Sequence, residues 1–139
     1  MILLDTNVIS ELWKAEPSTK VLQWLDKQVV ETLYLSAVTV AELRLGLAVM
    51  PSGKRQQTFV DRLEREVLPL FGSRVLPFDV ASAQSYASLV ANARTNGLAV
   101  GVSDGYIAAI AHSKALCVAT RDVSPFKAAG VDVVNPWLA

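Results

Sequence analysis

Five short, mostly apolar runs recur along the chain: Ile2-Leu3-Leu4, Leu33-Tyr34-Leu35, Arg74-Val75-Leu76, Leu116-Cys117-Val118-Ala119 and Asp132-Val133-Val134. Each is separated from the next by a stretch with helical spacing or helix signals. Runs that are apolar on consecutive residues suit strands buried on both faces. The alternation predicts an α/β fold, a parallel five-stranded sheet with helices on both faces.

The intervening segments carry their own start and stop signals. Val8, Ile9, Leu12 and Trp13 have helical spacing, and Ser18 is placed to cap a helix carrying Val21, Leu22, Trp24 and Leu25. Ser36 to Met50 is apolar nearly all round, which predicts a buried helix with Gly46 at a close approach. After the Pro51-Ser52-Gly53 turn, Phe59, Val60, Leu63, Val67 and Leu70 form the inward stripe of an amphipathic helix, with Lys54, Arg62 and Glu66 outward. Asp79 caps a long helix through Ala93 that ends near Gly97, Ser103 caps another, and Gly130 ends a short helix over Ser124 to Ala129.

Composition narrows the function. At 139 residues, with 52% hydrophobic and 19% charged, the chain has the apolar material for one core and too little charge for disorder; residues 1–139 are expected to form one domain. Thirteen Lys plus Arg balance thirteen Asp plus Glu, so any nucleic-acid contact has to be local. One cysteine, Cys117, excludes an internal disulfide, and with one histidine, His112, it excludes His- or Cys-rich metal sites. The opening residues reach Asp5 too soon for a signal peptide, and Leu98 to Ala111 is broken by Ser103, Asp104 and Gly105, short of a membrane span. A cytoplasmic protein with no membrane partner is expected.

The polar chemistry that remains is carboxylate chemistry. Asp5 closes the first strand and Asp122 follows the fourth, while Glu42 and Asp104 fall in first helical turns. If the first and fourth strands are neighbours, the four acids converge outside the carboxyl ends of the strands, where ligands bind in such sheets. Two carboxylates ~4 Å apart repel by about 4 kcal/mol at an effective dielectric near 20. Four together must take up protons or a hard divalent cation; with oxygen ligands alone, Mg²⁺ or Mn²⁺ is the fitting ion. Such a cation acidifies water and neutralises a phosphodiester oxygen, which points to phosphodiester hydrolysis.

Four blocks then carry a likeness: Leu3-Leu4-Asp5-Thr6-Asn7-Val8, Thr39-Val40-Ala41-Glu42-Leu43, Asp104 through Ala111, and Ala119-Thr120-Arg121-Asp122, followed by Asn135-Pro136-Trp137. In this order and separation they resemble the PIN-domain family over essentially the whole chain. Within it they are most similar to the VapC toxins of bacterial toxin–antitoxin pairs, in the FitB-like branch. The resemblance implies an Mg²⁺- or Mn²⁺-dependent endoribonuclease with Asp5, Glu42, Asp104 and Asp122 as metal ligands. Thr120 would orient the last acid or a water, and Asn7 would support Asp5. It also implies an RNA substrate, a cognate antitoxin in the active-site groove, a homodimer, and operator DNA reached only through the antitoxin. Many relatives read Asn-x-x-Asp-Phe at the last block; here the acid stands earlier, in Asp122-Val123-Ser124-Pro125-Phe126, which implies a one-metal resting state.

Plainer readings stand beside these. Glu42, Asp79 and Asp104 also suit helix starts. Lys54, Arg55, Arg62 and Arg65 read as a solvated face, with Asp61–Arg65 and Arg62–Glu66 at pairing spacing; Arg121, beside Asp122, is the better phosphate candidate. His112 reads as a surface residue, Cys117 as a buried small hydrophobe, and Trp13, Trp24 and Trp137 as core or dimer face. A receiver-type phosphotransfer domain lacks its lysine after Lys127, and a haloacid-dehalogenase-like phosphatase would want an acid where Asn7 stands. The rival from another class is a catalytically inactive interaction domain, binding a partner protein or a nucleic-acid-bound regulator through the same groove.

Overall fold

The computed structural model describes residues 1–139. Its elements run β1 (Ile2–Leu4), α1 (Thr6–Leu12), α2 (Thr19–Asp26), β2 (Leu33–Ser36), α3 (Ala37–Ala48), α4 (Lys54–Asp61), a π-helical turn (Arg62–Val67), α5 (Leu68–Phe71), β3 (Val75–Leu76), α6 (Val80–Thr95), α7 (Val102–Ser113), β4 (Cys117–Ala119), α8 (Ser124–Ala129) and β5 (Val133–Val134). All strand pairs are parallel, in the order β3-β2-β1-β4-β5. The chain lays strands outward from β1 on one side, then crosses back to start the other side at β4. The order reverses between β1 and β4.

Right-handed crossovers explain where the helices fall. Moving outward from β1 to β3 puts α1 through α5 on one face; returning to β4 and β5 puts α6 through α8 on the other. The core divides accordingly. Leu4, Val8, Ile9, Val21, Leu33, Leu35, Leu43, Leu47, Leu63 and Phe71 form one apolar cluster, and Leu3, Ile107, Ile110, Val118, Phe126 and Ala129 belong to the second. Neighbours Leu3 and Leu4 enter opposite clusters, as the two-residue period of a strand requires. The three tryptophans are half-buried against the first cluster.

Most caps are where the sequence puts them. The Ser18 hydroxyl accepts from Val21 N at 3.4 Å, Asp79 from Ser82 N at 2.9 Å, and Gly130 ends α8 in the left-handed region at φ +81°; Ser36, at the start of α3, also caps by accepting from Thr39 N at 2.9 Å. The expected Ser103 cap is not formed. α7 begins earlier, with Gly101 as its N-cap and no side-chain cap, which puts Ser103 and Asp104 inside the first turn. Gly105 supplies the close approach in this layer: a Cβ there would stand 3.0 Å from Tyr86 Cε2 of α6.

Three further expectations are corrected. α3 is not buried all round: Ala37, Ala41, Arg44 and Gly46 face outward, Leu45 is 64% exposed, and nothing lies within 4 Å of a Cβ built on Gly46. An alanine- and leucine-rich helix carries no polar stripe to mark its solvent side, so its sequence overstates its burial. Leu70, expected inward, is 56% exposed while Phe71 is buried. The π turn inserts one residue into the helical phase, so the position after Leu63 and Val67 on the apolar stripe passes from Leu70 to Phe71. The same insertion spoils the four-residue pairing of Asp61 with Arg65 and Arg62 with Glu66. Glu64 instead takes Arg44 of α3 through two bonds of 2.8 and 3.0 Å, and Arg55 and Arg62 lie over the Phe59 ring.

Candidate active site

β1 and β4 are adjacent in register, Leu4 opposite Ala119, and the pairing continues one step as Asp5 N donates to Ala119 O at 2.9 Å. Both strands therefore deliver the residues after them to the point where strand order reverses. Asp5, Glu42, Asp104 and Asp122 all line one cleft there, of about 330 Å³, together with Thr6, Asn7, Ser10, Glu11, Lys14, Arg121 and Trp137. The four acids come from the end of β1, the second turn of α3, the first turn of α7 and the loop after β4.

Asp5 is the most constrained of them. It caps α1: Oδ1 accepts from Thr6 N at 2.8 Å, and Oδ2 accepts from the Thr120 hydroxyl at 2.8 Å. Thr120, fully buried behind the cleft, uses every hydrogen-bonding site it has, since its oxygen also accepts from Asn7 Nδ2 at 3.2 Å and Asp122 N at 3.1 Å. One hydroxyl thus ties the β1 acid to the β4 loop. Asn7 completes the brace by accepting from Arg121 N at 3.3 Å. Glu42 is aimed by the Thr6 hydroxyl, which donates to its Oε1 at 2.8 Å and lies 3.3 Å from Thr39 Oγ1.

Burial raises the proton affinity of Asp5 to a pKa of about 6, against the lowering effect of the Thr120 and Thr6 bonds; the charges of Asp104 and Glu42 push the same way as burial. Asp104 is also raised, by burial and then by Asp122 and Glu42. The acids feel one another through the cleft. As the side chains stand, no three of them are drawn into a ready-made cation cage.

The sequence reading missed Glu11. It is a fifth carboxylate in the cleft lining, buried, but its oxygens are taken: Oε1 by Lys14 Nζ at 2.8 Å and Oε2 by Ser18 N at 2.8 Å. These bonds hold its pKa below the usual carboxylate range. The three-residue spacing to Lys14 was visible in the sequence; the contact with Ser18, across the α1–α2 turn, was not. Trp137 stands in the sequence as part of the Asn135-Pro136-Trp137 block and as core or dimer face, and the tail brings it to the cleft mouth, where Arg121 lies 5.4 Å from its ring centroid.

The donor set suits a hard divalent cation. The four acids other than Glu11 make no ion pair, no histidine or cysteine lines the cleft, and five carboxylates face two cations, one of which Glu11 already holds.

The PIN domain profile matches residues 2–131. The chain belongs to the PIN-domain family. Among the relatives of this PIN domain, a protein named VapC ribonuclease Y4jK from Sinorhizobium fredii is 64% identical, covering 99% of this chain and 98% of its own. Toxin FitB of Neisseria gonorrhoeae is 52% identical over 99% of each. A solved structure of FitAB bound to a DNA fragment matches with a TM-score of 0.96 and 50% identity, covering 99% of this chain and 96% of that one. The PIN fold thus agrees with the sheet and helix layers described above, and no helix is long and apolar enough to cross a membrane.

Proposed function

We propose that this PIN domain is a divalent-cation-dependent endoribonuclease and the toxin of a toxin–antitoxin pair. The carrying observation is the convergence of Asp5, Glu42, Asp104 and Asp122 on one cleft, with Asp5 buried and its proton affinity raised. The names of the relatives, a VapC ribonuclease and a FitB toxin, support the reading.

Asp5, Glu42, Asp104 and Asp122 would hold Mg²⁺ or Mn²⁺, and a bound ion of this kind lowers the pKa of water and offsets charge on a phosphodiester. The chain's own work is to hold the carboxylates ready. Thr120 and Thr6 N fix both oxygens of Asp5, and Thr6 fixes Glu42, so little side-chain freedom is lost on loading. In the reaction, water oxygen forms a new bond to phosphorus and gives up a proton, one ester P–O bond breaks, and the leaving alkoxide takes up a proton in its place. No histidine lines the cleft, so carboxylates are the groups available to move that proton.

The partners follow the same reading: RNA as substrate, an antitoxin that closes the groove, a homodimer, DNA bound through the antitoxin, and a cytoplasmic setting. The FitAB complex on DNA supports the antitoxin and DNA parts. The test is endonucleolytic cleavage of cellular RNA by the purified chain. The expected result is cleavage with Mg²⁺ or Mn²⁺ that EDTA stops and the cognate partner suppresses. Partner binding with no cleavage under any divalent ion would instead support the inactive interaction domain.

Thr120 acts here as a positioning residue. Thr120→Val keeps the shape and removes three hydrogen bonds, leaving the buried Asp5 Oδ2 without its partner at a cost of about 1–3 kcal/mol. It also takes away a bond that favours ionised Asp5, so the pH midpoint of Mn²⁺ binding should move upward, and Thr120→Ser should restore it. An unmoved midpoint in Thr120→Val would remove Thr120 from the account.

A further inference from the structure

The cleft holds an arginine whose charge reaches Glu11 but which forms no contact ion pair with any of the acids. Arg121 is exposed, lines the cleft beside Asp122, and makes no ion pair within 4 Å, while its guanidinium donates no hydrogen bond within the chain. A guanidinium among carboxylates ordinarily collapses onto one of them. Two features oppose that here. Glu11 already engages Lys14 and Ser18 N, one on each oxygen, and the Trp137 ring lies 5.4 Å from the Arg121 guanidinium across its π face. Behind it, Arg121 N is bonded to Asn7 Oδ1, so the residue is fixed to the same brace that orients Asp5.

A guanidinium held over an indole face keeps forked donors free for an anion. We propose that Arg121, braced by Trp137, is a phosphate-binding residue that grips the RNA backbone at a phosphate flanking the one cleaved. This rests on the nuclease reading and adds to it the residue that holds the strand across an acidic cleft. The charge balance calls for such a residue: of the two cations lining the cleft, Lys14 is bound to Glu11, so Arg121 is the one left to meet the substrate. Its role is binding, not proton transfer.

The test is fluorescence anisotropy of a labelled single-stranded oligoribonucleotide in EDTA, where no cleavage occurs, alongside Mn²⁺ binding and steady-state cleavage. Arg121→Ala is expected to weaken RNA binding by about tenfold or more, to lower the slope of log Kd against log salt by about 0.7, and to raise KM far more than it changes kcat. Mn²⁺ binding should not weaken, which separates the variant from a collapsed site. Arg121→Lys should keep the salt slope but recover only part of the affinity, because it loses the fork and the stacking. Trp137→Leu, which keeps apolar bulk, should fall between. Wild-type RNA binding and cleavage with Arg121→Ala unchanged in Kd and salt slope would overturn this inference alone. A wild type that neither binds nor cleaves RNA would overturn the nuclease reading and this inference with it.

Discussion

Asp5→Asn is expected to reduce RNA cleavage by about 10³-fold or more, equivalent to roughly 4 kcal/mol of lost transition-state stabilisation. The substitution changes one buried carboxylate into a neutral amide of the same size. It leaves Glu11, Glu42, Asp104 and Asp122 in the cleft, but it removes the acid whose two oxygens are fixed by Thr6 N and Thr120. The fold should survive, because two effects oppose each other. The amide must turn an NH₂ toward either the Thr6 N–H or the Thr120 hydroxyl, which destabilises; losing a buried negative charge beside Asp104 and Glu42 stabilises. Steady-state cleavage, with partner binding and thermal unfolding as controls for folding, gives the reading. Cleavage within a few-fold of wild type would show that Asp5 is only a helix cap.

The second large effect is a pH dependence of stability that runs opposite to the usual one. Asp5 has a pKa of about 6 in the folded protein against 3.8 for the ordinary group, so between these values the folded state holds a proton that the unfolded chain has released. Stability therefore falls as pH rises through this window, by about 3 kcal/mol at most, and the loss is complete above pH 6. Asp104, also raised, adds in the same direction. The lowered carboxyls of Glu11, Glu64 and Asp79 act oppositely, but below the ordinary carboxylate range, so pH 5 to 7 isolates the cleft. In EDTA the melting temperature should be higher at pH 5 than at pH 7, by about 5 °C for a chain of this size. Mn²⁺ should reverse the trend, because it binds ionised carboxylates and stabilises the fold that holds them. A metal-free melting temperature that rises from pH 5 to 7, or the same profile in Asp5→Asn, would count against a strained acid cluster.

Much of this architecture is written locally. Ile2-Leu3-Leu4 and Leu116 to Ala119 carry enough apolar residues to be strands, and the acids that follow them make adjacency of β1 and β4 the economical arrangement. Caps such as Ser18 and Asp79 are legible because the donor they satisfy lies three residues on. What depends on phase or on distant contacts is less legible. The π turn at Arg62–Val67 leaves no mark that separates it from an α-helix, so Leu70 and Phe71 exchange roles unannounced. α3 carries a single polar residue, Arg44, on its outer face, and its exposure follows from what the sheet does not cover. In the site, the four acids were readable, but the hydroxyl network was not: Thr120 reaches Asp5 across 115 positions and Thr6 reaches Glu42 across 36. Glu11 and Trp137 acquire their roles only when the α1–α2 turn and the C-terminal tail close on the cleft.

The most direct measurement is a calorimetric titration of Mn²⁺ into the metal-free protein near pH 7.5, run in parallel with Asp5→Asn and Asp104→Asn. It interrogates the acid cluster without any choice of RNA. The account predicts a saturable isotherm for the wild type that is lost in Asp5→Asn and strongly weakened in Asp104→Asn, with both variants folded. A folded wild type that binds Mn²⁺ no better than Asp5→Asn would contradict it.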